Sequence, residues 1–360
     1  MLNIKDLFSR GKKNVVGLDI GSSSLKLVEI LDTPKGPKLN HFSSIPLERG
    51  MIADGALVEP EVITAKIKEL FKSFPGRRKG IVTSLSGNSV IVKKVTFASM
   101  DEEELRGLIH DEAGKYLPFD DMNDVNFDFQ ILGENEFNPN QMEVLLVAAK
   151  KDIIRGYTDA IQAAGLSVSI MDVDSFALET MYEANYEIGE NELVVIINIG
   201  ASITNINVLK NGVSTFTRDF TLGGNSITEA IQERLGVTFE QAEEIKIGGL
   251  TGEDDAIREI RDNLMSIADP ICMEIERSVD YFRSTYRGEN IKLILLSGGG
   301  AKLPGIEANL TQRLNIEAEI INPFKKIEIV KKLQEQVDIE SIGPIAAVGV
   351  GLALRRLGDK

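Results

Sequence analysis

The chain has 360 residues, more than one hydrophobic core usually organises, so two or more lobes are expected. Its 40 Lys and Arg against 55 Asp and Glu leave a formal net charge of -15, which argues against nucleic acid or an anionic membrane as the main partner. One cysteine, Cys272, and two histidines, His41 and His110, exclude an intrachain disulfide, a thiolate zinc cluster and a histidine-based triad, and this usage fits the cytoplasm.

Residues 1–13 lack the apolar stretch of a signal peptide and read as a solvated arm, the alternative being a membrane-surface contact through Leu2, Ile4, Leu7 and Phe8 with Lys5, Arg10, Lys12 and Lys13. Residues 15–30 read as a hairpin, in which a β-branched strand enters an Ile-Gly-Ser turn and returns as an alternating strand. After a strand at 89–97, Ser99 with Glu102 is expected to form a capping box. The helix it opens carries Leu105, Leu108, Ile109 and Tyr116, and Pro118 stops it. Strands at 124–132 and 142–149 flank a polar stretch, 133–140, expected as an exposed hairpin tip. A helix bearing Ile153, Ile154, Tyr157, Ile161 and Ala164 follows, capped by Gly165. Together these predict a compact α+β insert at 85–165.

Residues 194–209 repeat the form of the first hairpin, so two lobes built on one plan are implied. This uncharged run carries Asn198, Asn205 and Asn207, which are costly in hydrocarbon, and it reads as a buried strand pair. Asn225 is expected to cap a helix with Ile227, Ile231 and Leu235, and Thr238 with Gln241 forms a second capping box. From Ile257 to Phe282 apolar residues recur every three or four positions, a long helix that Pro270 should kink or split. Strands at 291–296 and 316–321 precede a last helix at 344–357, whose Gly349, Gly351 and neighbouring alanines permit close packing.

Three glycine turns can carry chemistry. In the first, Asp19 precedes Gly21, Ser22, Ser23 and Ser24, with Lys26 beyond. Backbone N–H groups and hydroxyls there can meet a phosphate, and the carboxylate can hold Mg2+ through water. The second, Asn198 with Gly200, Ala201 and Ser202, puts a neutral amide where Asp19 stands, so it can bind but not act as a base. The third, Gly298, Gly299 and Gly300, follows a strand end, where backbone can approach a flat ring or a phosphate. A plain hairpin or tight turn explains each of the three as well when taken alone. No run fits the P-loop or the dinucleotide fingerprint.

The order and spacing of these turns, with the split helix before the third, resemble the actin, Hsp70 and sugar-kinase superfamily. Within it the chain is most similar to the PilM family of actin-like type IV pilus assembly proteins, with FtsA-type division proteins as cousins. The likeness covers essentially the whole chain. It rests on Val16-Gly-Leu-Asp-Ile-Gly-Ser-Ser-Ser-Leu-Lys26, Asn198-Ile-Gly-Ala201, Leu222-Gly-Gly-Asn-Ser-Ile-Thr228, Ala242-Glu-Glu-Ile-Lys246 and Leu296-Ser-Gly-Gly-Gly-Ala-Lys-Leu-Pro-Gly305.

The resemblance implies an α/β, two-lobed actin/Hsp70-like (ribonuclease H-like) fold with an FtsA/PilM-type α+β insert. Its parts would be 14–84, 166–189 and 341–360 for the first lobe core, 85–165 for the insert, 190–226 and 289–340 for the second lobe core, and 227–288 for a helical subdomain. It implies ATP and Mg2+ as cofactors. Asp19 would orient the metal, 21–24 and 200–202 would form the phosphate loops, and Lys26, Asn198 and Gly224 would adjoin them. Gly298, Gly299 and Gly300 would meet the adenosine, and Glu243 and Lys246 would flank adenine and ribose. Asp174 aligns loosely with the acidic residue that positions the attacking water in hydrolysing relatives. Asn198 replaces their usual aspartate, which implies slow or absent turnover.

The implied function is a cytoplasmic ATP-binding scaffold. It would receive the cytoplasmic N-terminal segment of a PilN-type inner-membrane protein, in a groove between the insert and the first lobe, and other pilus components are further candidate partners. Its membrane association would be indirect. The alternatives are an FtsA-like division protein, whose usual membrane-binding tail is not seen before Lys360, and a small-molecule kinase, which would need a stronger base than Asn198.

Overall fold

A computed structural model describes residues 15–72, 74, 80–119, 121–135, 138–248, 255–286 and 290–356. The expected arm at 1–13, the hairpin residues 136–137 and the expected helix end at 357 lie outside the described residues.

Strands β1 (Val15–Ile20), β2 (Ser24–Thr33) and β3 (Gly36–Pro46) form an antiparallel meander with β2 in the middle, and β1 is buried at every position. A short ribbon, β4 (Ile52–Ala53) and β5 (Ala56–Leu57), turns at Asp54 and Gly55, whose φ angles of 49° and 79° are those of a two-residue hairpin turn. Helix α1 (Pro60–Leu70) buries Ile63, Ile67 and Leu70 and leads to β6 (Gly80–Leu85), which runs parallel to β1.

The insert follows: β7 (Val90–Ala98), α2 (Glu102–Glu112), β8 (Val125–Asn135) and β9 (Asn138–Lys150), with sheet order β7-β9-β8. Asp101, not Ser99, caps α2, because its carboxylate accepts from Glu104 N–H at 2.8 Å and answers the positive helix end better than a hydroxyl. Leu105 and Ile109 cover the sheet, whereas Leu108 is exposed and Tyr116 lies beyond the helix. The hairpin strands run to Asn135 and resume at Asn138, so cross-strand pairing extends into most of the stretch expected as a tip.

Helix α3 (Lys151–Ala163) ends as expected at Gly165, with Leu166 N–H bonded to the Ile161 carbonyl at 3.2 Å. Its Tyr157 and Ile161 pack in one cluster with Val16 and Leu18 of β1 and Ile63 of α1. Strand β10 (Val168–Val173), parallel to β6, and α4 (Asp174–Asn185) follow.

The second lobe opens with β11 (Leu193–Ile199), β12 (Thr204–Lys210) and β13 (Val213–Phe220), then α5 (Gly224–Leu235) and α6 (Phe239–Lys246), the latter with the full Thr238/Gln241 capping box. The long apolar stripe is split into α7 (Asp255–Asp262), α8 (Leu264–Ile267) and α9 (Asp269–Thr285), with Pro270 in the first turn of α9. Strand β14 (Ile291–Ser297), α10 (Ile306–Leu314) and β15 (Ala318–Ile320) close the sheet. The chain then crosses back through β16 (Glu328–Ile329) and α11 (Lys331–Gln334) to α12 (Ile339–Leu354).

Strand order shows the duplication. The sheets run β10-β6-β1-β2-β3-β16 and β13-β12-β11-β14-β15, so β1 lies antiparallel to β2 and parallel to β6 as β11 lies antiparallel to β12 and parallel to β14. Helices α4 and α12 lie between the sheets, sharing one apolar cluster with Val28 and Val82 of the first and Val194, Ile196 and Leu295 of the second. Helix α12 starts before Pro344 because Asp338 caps it, and the ring is accommodated inside the helix. A Cβ on Gly351 would run into the Ala177 carbonyl of α4, so only glycine permits this approach. Arg355 ends the helix with paired bonds of 2.6 and 2.9 Å to the buried Asp172.

Candidate functional site

The first glycine turn joins β1 to β2. Asp19 stands opposite Lys26 in the register, and Lys26 Nζ donates to Asp19 Oδ2 at 2.9 Å in a largely buried pair. Gly21 N–H closes the turn on the Ser24 carbonyl at 3.2 Å, and Leu47 N–H donates to the Ser23 carbonyl at 2.8 Å. Ser22 is thereby left facing a cavity of about 370 Å3 that opens between the lobes.

Across that cavity lies the second turn, between β11 and β12, with Ala201 and Ser202 on its wall. Gly200 N–H meets the Ile203 carbonyl at 2.9 Å, while the Gly200 and Ala201 carbonyls accept from Gly224 and Asn225 N–H at 2.9 and 2.8 Å. These carbonyls, supplied from another element, satisfy the first two orphan donors of α5. Asn225 is therefore not the cap. Gly223 is, without a side-chain bond, since a Cβ there would lie 2.6 Å from both carbonyl oxygens. Asn225 Nδ2 reaches Ser202 Oγ instead, at 3.3 Å.

Asn198 links the second turn to the third. Its Oδ1 accepts from Ser297 Oγ at 3.2 Å, and Gly298, with φ of 84°, would place a Cβ 2.6 Å from that same oxygen. Gly300 lies so close to the Ile199 side chain that a Cβ would collide with it, whereas a Cβ on Gly299 would meet open space. Two of these three glycines are thus explained by packing against the end of β11, and one faces open space. Gly298 N–H also donates to the Pro344 carbonyl at 2.9 Å, tying this turn to α12.

Glu243 and Lys246 of α6 are brought together with Gly224. Lys246 Nζ pairs with Glu243 at 2.6 Å and donates to the Gly224 carbonyl and Thr228 Oγ1 at 3.1 and 2.9 Å, and Thr228 Oγ1 donates to Glu243 at 2.6 Å. The cluster sits at the base of α5, one hydrogen bond from the second turn.

Asp174 begins α4 and accepts from Ser84 Oγ at 2.5 Å. It keeps some contact with solvent, yet protein surrounds it. This burial, reinforced by the charges of Asp19 and Asp219 and opposed by the Ser84 and Ser86 hydrogen bonds, pushes its pKa up to about 7. Asp219 on β13 is a residue the sequence reading missed. It accepts from Gly87 N–H, in the link from β6 to β7, at 2.6 Å and from Asn205 Nδ2, and burial raises its pKa. No glycine turn surrounds it; its only sequence signal is a carboxylate within a strand of a buried sheet. Among the described residues no three acidic, histidine or cysteine side chains form a metal cage.

The family model for the type IV pilus assembly protein PilM matches residues 17–357. A solved structure of a PilM-PilN type IV pilus biogenesis complex is similar at 30% identity, covering 96% of this chain and 99% of that one with a TM-score of 0.82. The ethanolamine utilization protein EutJ of Carboxydothermus hydrogenoformans, at 16% identity over 94% of this chain and 88% of its own with a TM-score of 0.56, shares the fold. The cell division protein FtsA of Bacillus subtilis is 25% identical over 259 residues, 64% of this chain and 57% of FtsA, so the chain spans little more than half the length of that curated relative. The two-lobed actin-like architecture expected from the glycine turns is the one observed, and on the match across 17–357 the chain belongs to the PilM family of type IV pilus assembly proteins.

Proposed function

We propose that this chain is an ATP-binding scaffold of type IV pilus assembly that receives the cytoplasmic N-terminal segment of a PilN-type inner-membrane protein. The observation that carries the partner is the likeness, over nearly the full length of both chains, to a protein solved in a PilM-PilN complex. An extended segment held by backbone hydrogen bonds and apolar pockets suits a groove between the insert and the first lobe. No described helix is long and apolar enough to cross a membrane, so the chain would be held at the inner membrane through that partner.

Nucleotide binding is supported by the cavity of about 370 Å3 between the first and second turns, a volume in the range of small-molecule sites. Gly21 to Ser24 and Gly200 to Ser202 would cradle the phosphates, Gly299 offers open space for the adenosine, and Glu243 and Lys246 lie one hydrogen bond further on. Mg2+ commonly takes one or two carboxylates and completes its shell with phosphate and water, and Asp19 fits that role, with Lys26 holding its orientation. The bound ion would neutralise phosphate charge.

Turnover is expected to be slow. Asn198 brings no charge, and its amide oxygen is engaged by Ser297. Asp174, with a pKa near 7, is only partly ionised at neutral pH as a water-positioning base. The division-protein and kinase readings gain no specific support.

Calorimetric titration with a peptide copy of the partner's cytoplasmic N-terminus, with and without Mg-ATP, tests this reading. Micromolar or tighter binding is expected, and a change with nucleotide would measure the coupling directly. A folded protein giving no heat in either condition would sink it.

A further inference from the structure

Among the described residues lining the cavity, Arg49 is the cation, and the nucleotide reading gives it no role. It lies between β3 and β4. Leu47, just before it, is bonded to the Ser23 carbonyl of the first turn, and the buried Met51 anchors the segment on its other side.

From this anchored position the guanidinium crosses to the second lobe. There it pairs with Glu229 of α5 and lies 5.1 Å from the centre of the Phe239 ring on α6. Helix α5 is itself fixed to the second turn through Gly224 and Asn225. A continuous set of contacts therefore joins the first glycine turn to the second by way of one arginine, along the wall of the cavity both turns face.

As a fastener alone the pair is weak. The Arg49 and Glu229 side chains are 55% and 40% exposed, and an ion pair this open to water contributes little to stability. As a ligand contact it is well suited. Guanidinium carries five N–H donors in a planar fork that matches two phosphate oxygens, more than one carboxylate can use. Glu229 lines the same cavity and is the anion that a phosphate would displace or share.

We propose that Arg49 is a phosphate-contacting strap, which turns its guanidinium from Glu229 toward the polyphosphate of a nucleotide and so couples ligand binding to closure of the two lobes. The proposal rests on the nucleotide reading of this cavity. A ligand without phosphates engages no strap, and removing Glu229 frees Arg49 while lowering the negative charge facing the phosphates.

The test is calorimetry of the full chain with Mg-ATP, Mg-ADP and adenosine. Arg49→Met is expected to weaken Mg-ATP by roughly tenfold or more and leave adenosine nearly unchanged. Arg49→Lys should recover only part of the loss, because an ammonium presents no fork. Glu229→Gln should tighten Mg-ATP by about two- to fivefold, in the direction opposite to Arg49→Met. Wild-type affinity in Arg49→Met overturns the proposal. So does a loss in Glu229→Gln matching that in Arg49→Met, the result for a strap that only holds the lobes together. Thermal melts check folding, and Arg49→Lys with Glu229→Gln carry the comparison if the methionine variant is unfolded. Wild-type protein that binds none of the three ligands would remove the nucleotide reading itself, and the strap with it.

Discussion

The two glycine turns occupy equivalent places in a duplicated topology, yet they are held in opposite ways. The first is a charged turn, its Asp19 balanced by Lys26 within the same hairpin. The second is a neutral turn whose carbonyls are taken by α5 and whose Asn198 is taken by the third turn. One strand order thus supports two kinds of turn, one balanced by a charge pair within its own hairpin and one clamped by a following helix and the third turn. The difference lies in a few side chains and in which element follows each hairpin.

Glycine substitutions should separate the two turns most sharply. Gly223→Val would drive a side chain into both clamping carbonyls and should cost roughly 3 kcal/mol by urea denaturation. Gly21→Ala, whose Cβ would have only ordinary contacts of 3.4 Å and more, should cost under about 0.5 kcal/mol. Equal costs at the two sites would show that the second turn is not clamped as described.

A smaller effect is expected where the lobes meet. Glu179 of α4 accepts from Ser214 N–H of β13 at 3.0 Å, and burial pushes its pKa up to about 7, with Ser214 and Arg355 opposing and Glu183 reinforcing. Between the unfolded value near 4.5 and about 7 the native state keeps a proton that the unfolded chain has lost. Stability therefore falls as pH rises through that window and levels off above it. Glu179→Gln keeps the acceptor and removes the charge, so it should gain roughly 2 kcal/mol on wild type between pH 4.5 and pH 8. A difference that stays constant across that range would show that Glu179 titrates normally.

A smaller effect than that at Glu179, and the most informative about chemistry, comes from exchanging the two polar residues. Asp19→Asn leaves Lys26 a neutral acceptor and should cost about 1 kcal/mol, while weakening the dependence of ATP binding on Mg2+. Asn198→Asp restores a carboxylate beside the cavity and should raise Mg2+-dependent phosphate release above wild type. Unchanged release in a variant that still binds ATP would mean that the charge at 198 does not limit turnover.

Much of this was legible in the residues. Both hairpins, the Thr238 capping box, the split apolar helix and the Gly165 helix end follow from local patterns, because each depends on residues within a turn or two of one another. Cys272 is packed in the second core as its place in the stripe suggests, and burial pushes its thiol up to about 11. The misses share a cause. The α5 cap, the packing partners of α3, and the places of Asp219 and Arg49 all depend on groups distant in the sequence, and no periodicity reports on those.

By itself the sequence determined two hairpin-led strand pairs with an α+β segment between them in the chain, three glycine turns and the chemistry those turns can offer. Hydrophobic period and turn residues act over short distances and leave their mark in the order of residues. Only the tertiary structure decided that Gly223 must be glycine, that Ser22 faces Ser202 across one cavity, and that Arg49 spans it. Those facts depend on where separately formed elements come to rest, which is set by packing across the whole molecule.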